Sequence, residues 1–435
     1  MLAKLPFFLL LPATLPPGAP PPPRAAAPVR AAVTPADSLD ALKIVYLGSS
    51  VPYGQGATNK YGYTSRYTAL LQQRHAAGQG AAWTAANASV PGDNTGKVAA
   101  RWRRDLLPQR GRYVVLALSL GNEGIHGGGQ PVFEQFRRNL WGLVQQARAA
   151  GRVPVVTNCY TRGDFTAEDY AFTRQMNLLL HRWDVPTVNL LGAVDDGQGR
   201  WAAGYQDDSY HPNDRGHAEM ARAIVPSLFD ALAAGKPRPQ RQPSEGMAPG
   251  SVALRFVPEA RVHAFTQAVG FRADKPGVLL ALPDSLGTGT VRLDAAGQLR
   301  YASARGGQVQ SSAPVGPGWH LLTLTHYYAR GETIVYLDSA RVGAVPEKLL
   351  LRQVTLGGAA APAAGRFRQW HFYRAGLNDD EVRALAAGSL LQSSLELYAP
   401  LQGGRLANLA QSTNELRRTA PAGPPASRRR ARPVR

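Results

Sequence analysis

Four short runs in the first half of the chain are apolar almost without a break: "KIVYLGSS" (43–50), "GRYVVLALSLGN" (111–122), "RVPVVTNCYT" (152–161) and "VPTVNLLGA" (185–193). Strands buried on one face alternate apolar with polar, so unbroken runs of this length point to strands covered on both faces, as in a parallel sheet. Between and after them, stretches near 62–76, 131–150, 166–183 and 213–234 carry apolar residues at helical spacing. Strand and helix in alternation predict right-handed crossovers and a three-layer α/β sandwich over residues 38–235. The pattern then changes. "AAGKPRPQRQPSEGMAPG" closes with a linker, placed at 236–250, and residues 251–401 hold β runs separated by turn residues: "SVALRFV", "GVLLALP", "TVRLDAAGQLRYAS", "HLLTLTHYY", "TIVYLDSARVGA" and "RFRQWHFYRA". This second half is expected to be an all-β, two-sheet sandwich.

The two ends of the chain differ from its middle. Residues 1–37 carry a Lys at position 4, continue with a short apolar run and pass into Pro and Ala. That is the anatomy of a signal peptide followed by a linker, and the run is shorter than the roughly twenty residues a membrane span needs. A secreted or periplasmic protein without stable membrane insertion is expected. The single cysteine, Cys159, cannot form an internal disulfide. A formal net charge of +19 raises nucleic acid and acidic polymers as partners. No recognition helix, zinc-finger spacing or RNA-binding aromatic motif accompanies that charge, so nucleic acid is not expected as a partner. Residues 402–435, with seven arginines from Arg417 onward, are expected to be a disordered basic tail.

In an open parallel sheet, ligands lie beyond the carboxyl ends of the strands. The first strand there ends in Gly48-Ser49-Ser50, and the loop "NASVPGDNTG" carries Gly92. The strand of residues 111–122 ends at Asn122, and "YQDDSYHPNDRGH" brings Asp208 and His211 before the last helix. Together these supply a hydroxyl, an unobstructed backbone N–H, a carboxamide, a carboxylate and an imidazole. Those are the parts of an acyl-transfer site: His takes the proton of a serine as it attacks, a carboxylate orients the imidazole, and N–H donors hold the oxyanion. Taken singly, each motif has a simpler account. Gly92 and Asn122 are common turn residues, and Asn213 or Asp214 could cap a helix. Asp207, Asp208, His211 and His217 could instead bind Zn or Mn. His126 could line the pocket or simply be exposed. No GxxxxGK[ST] or GxGxxG spacing marks a phosphate cradle.

In order and local context these blocks resemble the SGNH hydrolases, or GDSL-type esterases, over residues 40–235. The most specific piece is "DDSYHPNDRGHAEMA". The resemblance implies a flavodoxin-like fold, Ser50 as nucleophile in a triad with Asp208 and His211, and an oxyanion hole of Ser50, Gly92 and Asn122, with no metal and no cofactor. Two neighbours depart from the family pattern: Ser49 stands where Asp is usual in the first block, and Glu123 where Asp is usual in the third.

Beyond residue 251, "GWHLLTLTHYYARGETIVYLDSARVG" and "GRFRQWHFYRAGLNDDEVRAL" resemble the laminin-G-like members of the concanavalin A-like jelly-roll sandwiches. That resemblance implies glycan binding, sometimes with calcium, although Trp and Tyr that alternate inward are equally core residues. The cluster Asp379, Asp380 and Glu381 is expected to start a helix. Two functions from different classes follow. One is a secreted esterase removing short acyl groups, acetyl among them, from a polysaccharide, with a lipase or lysophospholipase as its long-chain variant. The other is a glycan-binding protein whose α/β domain is inactive.

Overall fold

Parallel strands with both faces covered must be joined by crossover helices, and the N-terminal half of the computed structural model is built that way. The structure describes residues 39–248, 253–273, 275–357 and 365–419. The expected signal peptide and its linker, residues 1–37, therefore lie outside the described residues. In chain order the half contains β1 (Asp40–Gly48), α1 (Ser50–Tyr53), α2 (Tyr63–Ala76), β2 (Thr84–Asn87), α3 (Thr95–Arg101), β3 (Gly111–Ala117) and α4 (Leu120–Glu123). It continues with α5 (Ile125–Ala149), β4 (Val153–Thr157), α6 (Ala167–Leu180), β5 (Thr187–Val188), α7 (Leu191–Val194), α8 (Asp214–Arg222) and α9 (Leu228–Ala233).

The sheet order is β2-β1-β3-β4-β5, all parallel. One core packs Tyr46, Tyr67, Tyr113 and Phe229 on one face. Another packs Leu47, Val114, Phe136 and Leu140 on the other. This is the expected three-layer sandwich. Three details differ from the sequence reading. Strand β2 is an Ala-rich edge segment, only half buried, and carries no β signal. The last sheet strand keeps two paired residues out of "VPTVNLLGA". The expected helix at 213–234 is two helices, because Pro226 lacks the N–H that a continuous helix would use there.

The second half contains β6 (Ala253–Phe256), β7 (Phe265–Arg272), β8 (Gly277–Pro283), β9 (Thr288–Leu293), β10 (Gln298–Ala302), β11 (Gln308–Pro314) and β12 (His320–Tyr327). After these come β13 (Glu332–Leu337), β14 (Ala340–Pro346), β15 (Val354–Leu356), β16 (Arg366–Tyr373), α10 (Asp379–Ala386), β17 (Leu395–Ala399) and β18 (Arg417–Thr419). Two antiparallel sheets, β11-β10-β9-β8-β15-β6-β18 and β14-β13-β12-β7-β16-β17, enclose a core that includes Phe256, Val269, Leu324, Phe367 and Trp370. Strand β7, "FTQAVGFR", lies inside its sheet, yet its Thr, Gln, Ala and Gly hid it from a hydrophobicity reading. The acidic cluster does begin a helix: Asn378 caps α10 in a reciprocal capping box with Glu381.

The basic-tail expectation needs correction over residues 402–419. Ala410 and Ser412 are fully buried, and β18 pairs with β6. Apolar and hydrogen-bonding residues before Arg417 anchor this stretch; residues 420–435 lie outside the described residues. Within the linker placed at 236–250, Met247 pairs with Phe367 through both backbone groups.

The two halves meet through polar contacts that exclude water. His181 reaches Glu381 at 3.1 Å, and Glu219 reaches His263 at 2.9 Å, all four side chains being nearly inaccessible. Arg374 donates to the Arg222 carbonyl at 2.7 Å and pairs with Glu396.

Candidate active site

Strand β1 delivers Gly48-Ser49-Ser50 to the carboxyl edge of the sheet. A side chain at Gly48 would place its Cβ 2.1 Å from the Ala117 carbonyl oxygen, so the close approach of β1 and β3 requires glycine. The two serines then part. Ser49 is buried, its hydroxyl 3.5 Å from that of Tyr160. Ser50 opens α1, where its backbone N–H lies in a first turn that has no intrahelical acceptor.

The loop before α8 brings the acid and the base. His211 Nε2 lies 3.0 Å from Ser50 Oγ, and His211 Nδ1 lies 2.9 and 3.0 Å from the two oxygens of Asp208. A ring nitrogen facing a carboxylate carries the proton, which leaves Nε2 free to accept from the Ser50 hydroxyl. Asp208 also accepts from the backbone N–H groups of Tyr210 and His211. Partial burial would raise its pKa, but the bonds from His211 and from these amides outweigh that and hold it below the usual carboxylate value. The structure thus brings Ser50, Asp208 and His211 into one hydrogen-bonded series.

Gly92 sits at the tip of its loop with φ +78° and open space where a side chain would be. Asn122 lies on α4 and donates from Nδ2 to the Asp93 carbonyl at 3.0 Å, which ties its loop to that of Gly92. The Val90 N–H donates to the Gly48 carbonyl, binding the Gly92 loop to the end of β1.

Glu123 accepts from the Thr95 N–H at 2.9 Å and from its hydroxyl, so this departure from the family pattern anchors the start of α3, just beyond Gly92. Sequence reasoning missed Arg101. Buried among these loops, it pairs with Asp93 and donates to the carbonyls of Ala88 and Gly48. Its position on a seven-residue helix gave no periodic signal to find it.

The alternative metal grouping does not assemble. Tyr63 N–H donates to His217 Nδ1 at 3.2 Å, and His217 Nε2 donates to the Gln55 carbonyl at 2.8 Å, so both nitrogens serve the backbone around α1. Burial lowers the His217 pKa to about 4 and keeps the ring neutral. Among the described residues no group of three His, Cys, Asp or Glu side chains could hold a metal ion. His126 is mostly exposed and pairs with Asp169 at 2.9 Å. Beside His211 stands Tyr210, about half exposed, its ring near-perpendicular to the imidazole and the Arg162 guanidinium 4.3 Å from its centroid.

Residues 46–219 match the GDSL-like Lipase/Acylhydrolase family. Similar solved structures include an acetyl-xylooligosaccharide esterase from Geobacillus stearothermophilus, 16% identical, covering 41% of this chain and 90% of that one with a TM-score of 0.35. Others are a GDSL-like lipase from Bacteroides thetaiotaomicron (13% identical, 45% and 89% covered, TM-score 0.33) and an alpha/beta hydrolase from the metagenome of Lake Arreo, Spain (21% identical, 44% and 94% covered, TM-score 0.34). No curated protein matches the chain.

Proposed function

We propose that the chain is an exported serine esterase that removes short acyl groups, acetyl above all, from carbohydrate; the match of residues 46–219 to the GDSL-like Lipase/Acylhydrolase family supports an ester hydrolase. The observation that carries this reading is the series from Ser50 Oγ to His211 Nε2 at 3.0 Å and from His211 Nδ1 to Asp208 at 2.9 Å. Ser50 Oγ attacks the acyl carbonyl carbon as His211 takes its proton. The oxyanion is held by the N–H groups of Ser50 and Gly92 and by the Asn122 amide, each such donor contributing about 10² to 10³ in rate. His211 then gives the proton to the departing alcohol, and water, activated in the same way, releases the acid from Ser50. Asp208 fixes the tautomer and stabilises the imidazolium as it forms.

The surroundings favour a sugar ester over a lipid. The loops that carry Ser50, Gly92 and Asn122 are rich in Gly, Asn and Asp in place of Leu and Phe, whereas a long acyl chain needs an apolar groove. The half-exposed Tyr210 ring offers a face on which a pyranose can stack. Export rests on the leader anatomy of residues 1–37; among the described residues no helix is long and apolar enough to cross a membrane.

The β domain, which we assign to the laminin-G-like sandwiches, would hold the polymer. The guanidinium groups of Arg272 and Arg368 lie 5.9 and 4.2 Å from the Trp319 ring. Arg366 pairs with Arg272 across the strands and shares that face. The cluster suits an acidic polysaccharide. In affinity electrophoresis the Trp319→Ala variant should lose retardation by polygalacturonate; equal retardation of variant and parent would sink this part of the reading.

The deciding experiment is hydrolysis of p-nitrophenyl esters from acetate to laurate by the full chain and by Ser50→Ala. Fastest cleavage of acetate, with a loss of about 10⁴-fold or more in the variant, supports both the nucleophile and the short-acyl preference. A preference for laurate moves the function to a lipase. No hydrolysis by the parent leaves the glycan-binding reading.

A further inference from the structure

The loop that carries Asp208 and His211 is held from outside its own domain. It leaves α7 at Asp195 and returns at α8, and between them it folds on itself. Asp195 bridges to Trp201, the Asp207 N–H donates to the His211 carbonyl at 2.9 Å, and the Asn213 N–H donates to the Tyr205 carbonyl at 3.1 Å. Trp201 Nε1 donates to the carbonyl of Ser209, next to Asp208. Displacement of Asp195 or Tyr205 would therefore pass by short hydrogen-bonded links to the acid and the base.

Both of those residues are gripped by the tip of the β12–β13 hairpin, residues 328–331. Arg330 Nε donates to the Asp195 carbonyl and Nη2 to its carboxylate, each at 2.6 Å, with the Asp195 side chain almost fully buried. The guanidinium rests 3.7 Å above the Tyr327 ring, and Tyr170 donates a second bond to the same carboxylate at 2.7 Å. Ala329 packs with Ala202 and Tyr205 in a small buried cluster. Tyr328, in the same turn, stacks at 3.9 Å on His263, whose Nδ1 bonds Glu219 on α8, the helix that follows His211. The hairpin thus touches the chain on both sides of the base.

We propose that the β12–β13 hairpin is a positioning element of the hydrolytic site, and that Arg330 and Ala329 set the place of the Asp208–His211 pair relative to Ser50. The second domain then has a role in the reaction besides any polymer binding. The inference rests on the Ser50 reading above, but its consequence is separate. Two arms fixed to one another by a two-point guanidinium bond cannot drift, and an error of about 1 Å in a reacting pair costs on the order of 10² in rate.

The test uses the full chain with p-nitrophenyl acetate, a substrate with no polymer for the β domain to hold. Arg330→Ala should lower kcat by about ten- to a hundredfold while KM stays within about twofold. Arg330→Lys, which keeps the charge and loses the two-point geometry, should fall between. Arg300→Ala, on β10 and away from the junction, should match the parent. Circular dichroism shows whether each variant is folded, and if Arg330→Ala is not, Arg330→Lys is judged by the same kcat criterion. A folded Arg330 variant with parental kcat, alongside an inactive Ser50→Ala, overturns this inference alone. A parent protein with no esterase activity removes the Ser50 reading and the inference with it.

Discussion

The two sides of the candidate site are secured in different ways. On the nucleophile side every tether belongs to the α/β domain: Arg101 holds Asp93 and the Gly48 carbonyl, Glu123 holds Thr95, and Asn122 holds the Asp93 carbonyl. On the acid–base side the loop through Asp208 and His211 borrows Arg330 and Ala329 from the β domain, and α8 borrows His263. A strand end packed in a parallel sheet is already rigid and needs only short local ties. The loop of residues 195–213 between α7 and α8 has no such frame, and ordering it costs about 1–2 kcal/mol of backbone entropy per residue, so it gains most from a second surface.

If the nucleophile side is self-contained, breaking its central tether should show in stability as well as activity. Arg101 and Asp93 are both more than nine-tenths buried. Removing one partner of such a pair leaves the other charge uncompensated, which costs about 3–5 kcal/mol. Arg101→Ala should therefore lower the unfolding free energy of the full chain, measured by urea denaturation, by that amount; a loss of less than about 1 kcal/mol, the worth of an exposed pair, would mean that water reaches Asp93 and the comparison fails on this side.

A smaller effect separates the two sides by pH. His217 links α8 to the backbone at Gln55 and Tyr63, and it is neutral in the fold because burial lowers its pKa from 6.5 to about 4. The hydrogen bond to the Gln55 carbonyl opposes this, as does Asp214, while Arg66 and His211 add to it. Between these two values the unfolded chain binds the extra proton, so this stability is fully present above pH 6.5 and drains away as pH falls toward 4, by about 3 kcal/mol in all. His217→Gln, whose amide can serve both backbone partners, should flatten the pH dependence of the melting temperature over that window. An unchanged slope would assign the acid sensitivity elsewhere.

What the sequence disclosed follows from the same division. The apolar runs 43–50 and 111–122 announce strands because burial on both faces leaves no room for polar residues. Ser50, Asp208 and His211, which the structure joins, stand in short motifs whose spacing is local. Arg330 and His263 were invisible because each finds its partner across the fold: Arg330 is 135 residues from Asp195 and His263 is 44 from Glu219. Arg101 pairs with Asp93 only eight residues away, but on a short helix with no periodic pattern to mark it. No periodicity encodes a buried guanidinium. Strand β7 escaped for a related reason: its outward side chains are small where the sheet meets other structure, so Ala268 and Gly270 stand where a hydrophobic pattern would have shown.

The finest test of the comparison asks whether the two sides are independent. Glu123 and Arg330 share no hydrogen-bond partner, one acting through Thr95 and the other through Asp195. Mutations at sites without common partners usually add to within about 0.5 kcal/mol. Glu123→Gln weakens the anchor of α3 and Arg330→Lys loosens the hairpin, so the double variant should lose kcat/KM for p-nitrophenyl acetate by the product of the two single losses, to within about twofold. A double loss well short of the product would mean that both substitutions disturb one shared arrangement of Ser50 and His211. In that case the nucleophile side leans on the β domain too, and the site is one mechanical unit instead of two.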